Sequence, residues 1–526
     1  MDAIRILWAD DEITSLKPQI LFLTQKGYDV TTVTNGHDAL QEVAASIEKA
    51  TPFDVVFLDE NMPGLSGLDA LSRIKTLLPT LPVVMITKSE EEGIMEDAIG
   101  SQIQDYLIKP VNPNQVLLTL KRIIDKSRLV REKTTSDYRA EFRQIGMEIG
   151  MGLDHEAWAD IYRKIVGWEL RIDASQTTEM GDILAMQKQE ANTEFSKFIV
   201  RNYMSWVSDA GSDDAPVMSN TVFRRKILPE VQLNGTPTIF LLLDNLRFDQ
   251  WKVIEPIITE AFRVEKEDYF YSILPTTTQY SRNAIFAGLM PAEIEKKFPK
   301  WWFNDNEEGG KNLHEKDLLA EQIKRVSRKP LRFDYTKVLN QNDAKNLNDH
   351  ILENLDRNDL FVIVYNFIDM LSHARTEMEV LKELAGDEPA YRSLTRSWFE
   401  HSPIWAALQK AATRNVQLII GTDHGTIRVR RPSRVIGDRE TTANLRYKVG
   451  RNLQYEASDV LDIRQPEKAG LPKPNVSSTF IFAKEDNFFL YPNNYNHYHT
   501  YYRNTFQHGG ISLEEMIIPF IKLRSK

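Results

Sequence analysis

An apolar run at residues 4–9 ends on Asp10, Asp11 and Glu12, and a second, DVVFL at 54–58, ends on Asp59. An acidic pair and a lone aspartate at two strand ends can together hold one hard divalent cation. Mg²⁺ prefers oxygen ligands and keeps several waters, so two or three carboxylates suffice. With the cation and a nearby lysine neutralising charge, a carboxylate can attack a phosphoryl donor and become an aspartyl phosphate. Thr87, after the apolar run 81–86, can donate its hydroxyl to a phosphoryl oxygen, and Lys109, after 105–108, can pair with another.

A second set lies far downstream. Cysteine is absent, so any metal must be held by imidazole nitrogen and carboxylate oxygen. Asp369 and His373, in FIDMLSH, follow an apolar run at an i, i+4 spacing that puts both on one face if the chain turns helical there. Asp423 and His424, in IIGTDHG, follow another strand end, between glycines that permit a tight turn. Asp244 ends TIFLLL, and His508 precedes the strand at 516–521. Three carboxylates and three imidazoles make six groups. Two Zn²⁺ ions, each with three protein ligands and an open position, need six.

The elements that must position these groups read as two α/β regions around a helical one. Near-continuous apolar strands separated by helix-period stretches at 65–78 and 114–124 imply a parallel sheet covered on both faces. Sites in such sheets lie at the carboxyl ends of the strands. From about residue 126 the pattern is helical: Asp154 can cap a helix striped by Trp158, Ile161, Ile165 and Trp168, and Phe195, Phe198, Ile199 and Trp206 form a second stripe. Both stripes are read as packing. DAGSDDAP at 209–216 reads as a linker. Beyond it, strands are expected at 238–243, 269–274, 360–367, 416–420, 478–483 and 516–521.

Composition narrows the function classes. The chain has 526 residues and is 42% hydrophobic, which is ordinary for a multidomain globular protein. Its 65 Lys+Arg against 75 Asp+Glu give a net charge of −10, which argues against charge-driven wrapping of nucleic acid. Charges appear too early for a signal peptide, and no apolar run approaches the roughly 20 residues needed to span a bilayer. A cytoplasmic, soluble protein without membrane insertion is expected.

The motifs ADDE, LDENMPGLSG, MITK and YLIKP resemble the receiver domain of two-component response regulators over residues 1–125. That resemblance implies a flavodoxin-like fold and Asp59 as phosphoacceptor. It implies Mg²⁺ on Asp10, Asp11, Asp59 and the Asn61 carbonyl, Thr87 and Tyr106 as a switch pair, and Lys109 before a cis bond to Pro110. Residues 216–526 resemble the alkaline-phosphatase superfamily, especially its phosphodiesterase branch and the PglZ domain. There the resemblance implies one zinc on Asp369, His373 and His508, and the other on Asp244, Asp423 and His424. It also implies a nucleophile bound to that second zinc at a helix start, where Thr276, Thr277 and Thr278 compete in SILPTTTQYSRNAIFAGLMP. The order Thr278-x-x-Ser281-Arg282 resembles the sulfatase signature Cys-x-Pro-Ser-Arg, and PTTT resembles the PTKT of nucleotide phosphodiesterases; both select Thr278.

Arg247 and Arg282 are candidate substrate contacts, RVRRPSR at 428–434 a candidate phosphate-binding loop, and the aromatic run at 491–504 a candidate base-stacking segment. The whole arrangement, with a helical domain at 126–215, resembles the PorX-type response regulators associated with type IX secretion. The function this implies is hydrolysis through a Thr nucleophile and two zinc ions, which suit phosphate monoesters, diesters, sulfate esters or phosphonates equally; the basic and aromatic segments favour nucleotide or oligonucleotide diesters. Control is by a sensor histidine kinase, with homodimerisation on phosphorylation and a transcription or secretion-system partner. The alternatives are a non-catalytic scaffold, whose weakness is the complete ligand set, and a conventional transcription regulator, for which no helix-turn-helix follows the receiver.

Overall fold

The computed structural model describes residues 4–49, 51–88, 103–175, 178–209, 215–366, 368–369 and 386–526. The chain forms two compact units, residues 1–140 with 171–178, and residues 141–170 with 179–526. Among the described residues no helix is long and apolar enough to cross a membrane.

The first unit contains a five-stranded sheet in the order β2-β1-β3-β4-β5, from β1 (Arg5–Ala9), β2 (Asp29–Val33), β3 (Val55–Asp59), β4 (Val83–Thr87) and β5 (Asp105–Ile108). All its pairings are parallel. Strands β3 and β4 are buried throughout, with one core on each face: Leu7, Val56, Leu58 and Met85 on one, Ile6, Trp8, Phe57 and Ile86 on the other. Helix α1 (Lys17–Gln25) follows β1, and α2 (Gly36–Glu48) and α3 (Gly67–Leu77) begin at Asn35 and Ser66, whose side chains accept from the amides of Asp38 and Asp69. Gly67 is a steric requirement: a Cβ there would lie 2.1 Å from the Asp59 carbonyl oxygen, so only glycine lets α3 start against that strand end. The helix expected at 114–124 runs much further, as α4 (Pro113–Gly150).

Helix α5 (His155–Ser175), in the second unit up to Leu170, is capped by Asp154, which accepts from the amides of Glu156 and Ala157. Trp158, Ile161, Ile165 and Trp168 face inward, as do Phe195, Phe198, Ile199 and Trp206 of α6 (Thr178–Ser208). A six-stranded sheet follows, from β6 (Thr238–Leu243), β7 (Phe262–Tyr271), β8 (Phe333–Val338), β9 (Leu360–Tyr365), β10 (Gln417–Gly421) and β11 (Ile517–Ser525). Strands β10, β6, β9 and β8 are parallel neighbours, and β11 runs antiparallel between β10 and β7.

The register builds the site. Gly421 pairs with Leu242 and Tyr365 with Leu243, so Asp423 and Asp244, each two residues beyond paired positions, emerge side by side at the carboxyl ends of adjacent strands.

Candidate functional site

At the receiver sheet's carboxyl edge, ligand atoms of Asp10, Asp11 and Asp59 lie within 4.8 Å of one another. Lys109 Nζ stands 2.9 Å from Asp10 Oδ2 and 3.0 Å from Asp59 Oδ1. Burial raises the Asp59 carboxyl to about 6; Lys109 pulls against that shift, and Asp10 and Asp11 add to it. A carboxylate this poorly compensated by one lysine suits a divalent cation. Thr87 is buried beside it and donates to Glu60 Oε2 at 2.5 Å, Tyr106 is 41% exposed, and Asn61 is exposed on the following loop. The Lys109–Pro110 bond is cis.

The second cluster is deeply buried. Ligand atoms of Asp244, Asp423 and His424 lie within 4.8 Å of one another, and all three residues are 0% exposed. His424 uses Nδ1 on the Gly425 carbonyl at 3.1 Å, which leaves Nε2 facing Asp244 at 3.7 Å and Asp423 at 3.9 Å. Burial holds the His424 imidazole below its usual range, and the neutral ring is the form that ligates metal. Burial and the neighbouring Asp244 push the Asp423 carboxyl well up. Burial opposes ionisation of Asp244 too, but Arg282 and His424 hold its carboxyl below the ordinary range. Asp423 Oδ2 is buried without a hydrogen-bond partner. An orphaned carboxylate oxygen among two acids and a neutral imidazole fits a cation site.

Thr278 opens a π-helical turn, Thr278–Arg282, with its Oγ1 3.1 Å from His424 Nε2 and 3.4 Å from Asp244 Oδ1. The other two threonines are differently disposed. Thr276 Oγ1 donates to the Gly510 carbonyl and accepts the Gly509 amide, and Thr277 Oγ1 is buried with no hydrogen-bond partner. His508 Nε2 lies 3.6 Å from Asp369 Oδ1, and its ring stacks on His424 with centroids 4.2 Å apart, so the second ligand group adjoins the first. His373 lies outside the described residues.

Residues 222–523, more than half of the chain, match the family model of the BREX system PglZ alkaline phosphatase-like domain. The chain belongs to the PglZ alkaline-phosphatase-like family. Ahead of its PglZ region, residues 128–207 match the PorX response regulator linker domain and residues 6–121 the response regulator receiver domain, which together make the PorX-type architecture. Similar relatives include the transcriptional regulatory protein ZraR of Klebsiella oxytoca, 31% identical over 28% of this chain and 32% of that protein. The alkaline phosphatase synthesis transcriptional regulatory protein PhoP of Bacillus subtilis is 30% identical over 24% of this chain and 50% of that one. The chain thus spans about a third of the length of the first relative and half of the second. Among solved structures, a response regulator receiver domain from Clostridium thermocellum is 30% identical, with a TM-score of 0.22, covering 24% of this chain and 97% of that one.

Several expected contacts of the PglZ region are placed otherwise. Arg247 does not face the cluster. It is 1% exposed, bound by Asp249 at 2.6 Å and Glu388 at 2.6 Å, and its guanidinium lies over the rings of Tyr391 and Phe506. Its charge is fully used inside the fold, which corrects its reading as a substrate contact. Arg282 does reach the cluster: it is buried, and gives Nη1 to Asp244 Oδ2 at 2.8 Å and Nε to Glu315 Oε1 at 2.6 Å, so it neutralises carboxylates. In the basic stretch, Arg431 pairs with Glu485 and Asp486, and Arg428 donates to the Gly386 and Asn504 carbonyls. Residues Tyr495–Tyr502 form a helix whose rings stack mainly on one another.

Sequence reasoning missed Asn245. It is buried with φ of 66°, its amide N donates to Asp423 Oδ1, and its side chain donates to Asp369 Oδ1, each at 3.4 Å. The signal was an Asn directly after a strand-ending Asp, since Asn tolerates the left-handed conformation better than most residues.

Proposed function

We propose that the PglZ region is a two-zinc phosphodiesterase acting on nucleotide or oligonucleotide diesters, with Thr278 as nucleophile. The observation that carries this reading is the position of Thr278 Oγ1 against His424 Nε2 and Asp244 Oδ1, while the Thr276 hydroxyl is committed to backbone. Asp244, Asp423 and His424 would hold one zinc, and Asp369, His373 and His508 the other. Bound zinc supplies Lewis-acid polarisation of the phosphoryl oxygen and lowers the pKa of a coordinated hydroxyl. The chain supplies the rest. Thr278 presents Oγ1 at the start of a rigid turn. His424 keeps Nε2 aimed at that oxygen by fixing Nδ1 on the Gly425 carbonyl, and Arg282 keeps Asp244 ionised.

The receiver is read as the input. Asp59 accepts phosphate from a cognate sensor histidine kinase, with Mg²⁺ on Asp10, Asp11, Asp59 and the Asn61 carbonyl. Thr87 and Tyr106 transmit the change to a homodimer contact, and the match to the PorX linker supports a place among regulators of type IX secretion. The test is turnover of a chromogenic phosphodiester by the full chain, with zinc and with a chelator. Zinc-dependent release that is absent from Thr278→Val supports the reading. Zinc binding without any diester turnover would leave the scaffold reading in its place.

A further inference from the structure

The helical region that precedes the PglZ domain is expected from sequence to be a spacer held by apolar stripes. One face of α6 does more than pack. Lys188, Asn192, Phe195, Ile199 and Tyr203 fall at spacings of four, three, four and four, and so line one side of the helix. Phe195 and Ile199, in the middle of that line, are 0% exposed. The polar residues at its two ends each hold a different loop of the candidate site.

At one end, Lys188 Nζ sits 3.0 Å from Glu514 Oε1, Asn192 Nδ2 donates to Glu514 Oε2 at 3.1 Å, and Asn192 Oδ1 accepts the Leu513 amide at 2.8 Å. Lys188 also pairs with Glu169 of α5 at 2.8 Å, so the lysine is anchored from both sides. The segment so gripped touches the turn that carries His424. A Cβ on Gly425 would lie 1.9 Å from the Glu514 carbonyl oxygen, and the Gly425 amide donates to the Glu515 carbonyl at 3.2 Å. Glu515 in turn accepts the Gly510 amide at 2.9 Å, two residues beyond His508.

At the other end, the Leu274 amide donates to the buried Tyr203 hydroxyl oxygen at 2.8 Å. Leu274 stands four residues before Thr278 on the segment that carries all three threonines.

We infer that Lys188, Asn192 and Tyr203 are positioning residues for the candidate active site: α6 clamps the Thr278 segment through Tyr203 and the His424 and His508 loops through Asn192 and Lys188. This inference rests on the proposed reading of that site and names how it is regulated. A small displacement of α6 along its axis shifts the nucleophile segment and the metal loops together, because both are tied to one rigid rod by directional hydrogen bonds. The helix between receiver and PglZ region is then the element whose position sets the site.

The experiment compares Tyr203→Phe, Asn192→Ala and Lys188→Met in the full chain, with Lys197→Ala on the exposed side of α6 as control. Readouts are amide hydrogen exchange of segments 272–282, 421–428 and 506–516, zinc retention against a chelator, and kcat and KM for a chromogenic diester. Tyr203→Phe leaves a buried amide without its acceptor, so exchange in 272–282 should quicken by about tenfold and kcat fall by a similar factor. KM and zinc retention should stay unchanged. Asn192→Ala and Lys188→Met should instead quicken exchange in 421–428 and 506–516 and speed zinc loss, and Lys188→Arg should restore wild-type behaviour. Exchange unchanged in these segments overturns the clamp, as does altered exchange with unaltered kcat and zinc retention. If the wild-type chain hydrolyses no diester, the proposed activity fails, while exchange and zinc retention still decide the clamp.

Discussion

Replacing Arg282 with methionine asks whether the buried carboxylates are arranged for a cation. Arg282 is 1% exposed and bonds Asp244 Oδ2 at 2.8 Å and Glu315 Oε1 at 2.6 Å. Glu315 keeps Lys337 at 2.9 Å and the Tyr335 hydroxyl, so the loss falls mainly on Asp244, which is left with the neutral Thr278 hydroxyl at 3.4 Å and His424 at 3.7 Å. Removing one partner of a buried ion pair costs about 3–5 kcal/mol, a large part of the about 5–15 kcal/mol that holds a domain folded. The folded Asp244 carboxyl lies below its ordinary value, so this stability is present above the unfolded pKa and is lost as pH falls through the folded one. At pH 7 the full loss should appear in the metal-free protein. A divalent cation between Asp244, Asp423 and His424 supplies the missing charge, so with zinc the loss should shrink toward the about 1.5–3 kcal/mol of one charged hydrogen bond. Denaturant unfolding of wild type and Arg282→Met, each with chelator and with zinc, measures both numbers. Equal losses under the two conditions refute the reasoning, because the cation would then not be neutralising Asp244.

Four further outcomes are expected. Acetyl phosphate with Mg²⁺ should label the native chain and not Asp59→Ala, read by phosphoprotein mass spectrometry. Thr278→Val should abolish diester turnover and keep its zinc, whereas Thr276→Val, which strips the partner from the Gly509 amide and Gly510 carbonyl, should lose about 1–3 kcal/mol of stability in a melt. Lys448 is 1% exposed, and burial pushes its ammonium down to about 7, so the unfolded chain binds the extra proton between about pH 7 and 10.5 and stability climbs with pH across that window. Lys448→Met should therefore gain about 3 kcal/mol below pH 7, net of the orphaned Thr442 carbonyl, with the gain gone above pH 10.5. Beryllofluoride should raise the mass seen by light scattering, and an unchanged mass removes dimerisation from the control scheme.

What the sequence disclosed follows from how strongly each element is buried. Strands β3, β4, β6, β9 and β10 are buried throughout and mostly apolar, and were readable within a residue or two. Strand β2, DVTTV, is a half-exposed edge and carries no such signal. Strand β7 was placed late, because its first residues, FRVEKED, alternate toward solvent and read as charged loop. Asp244, Asp423 and His424 were recognisable as strand-end ligands, but their adjacency depends on the pairing of Gly421 with Leu242, which one sequence does not contain. The burial of Arg247 was equally illegible, since it depends on Glu388, 141 residues away. Tyr203 carries no sequence signal that separates it from the packing residues around it; its 2.8 Å contact with the Leu274 amide sets it apart.

Strand β11 has a consequence for biosynthesis. It lies between β7 and β10, both of which leave the ribosome long before it. Until residues 517–525 emerge, β10 exposes an unsatisfied hydrogen-bonding edge and β7 has no sheet to join. The PglZ region therefore has to wait as a split, edge-exposed intermediate while more than two hundred residues are translated, the situation in which nascent chains recruit holding chaperones. The receiver sheet, complete by residue 108, has no such delay. A ribosome stalled within the last strand should thus carry a folded receiver domain and a protease-sensitive remainder.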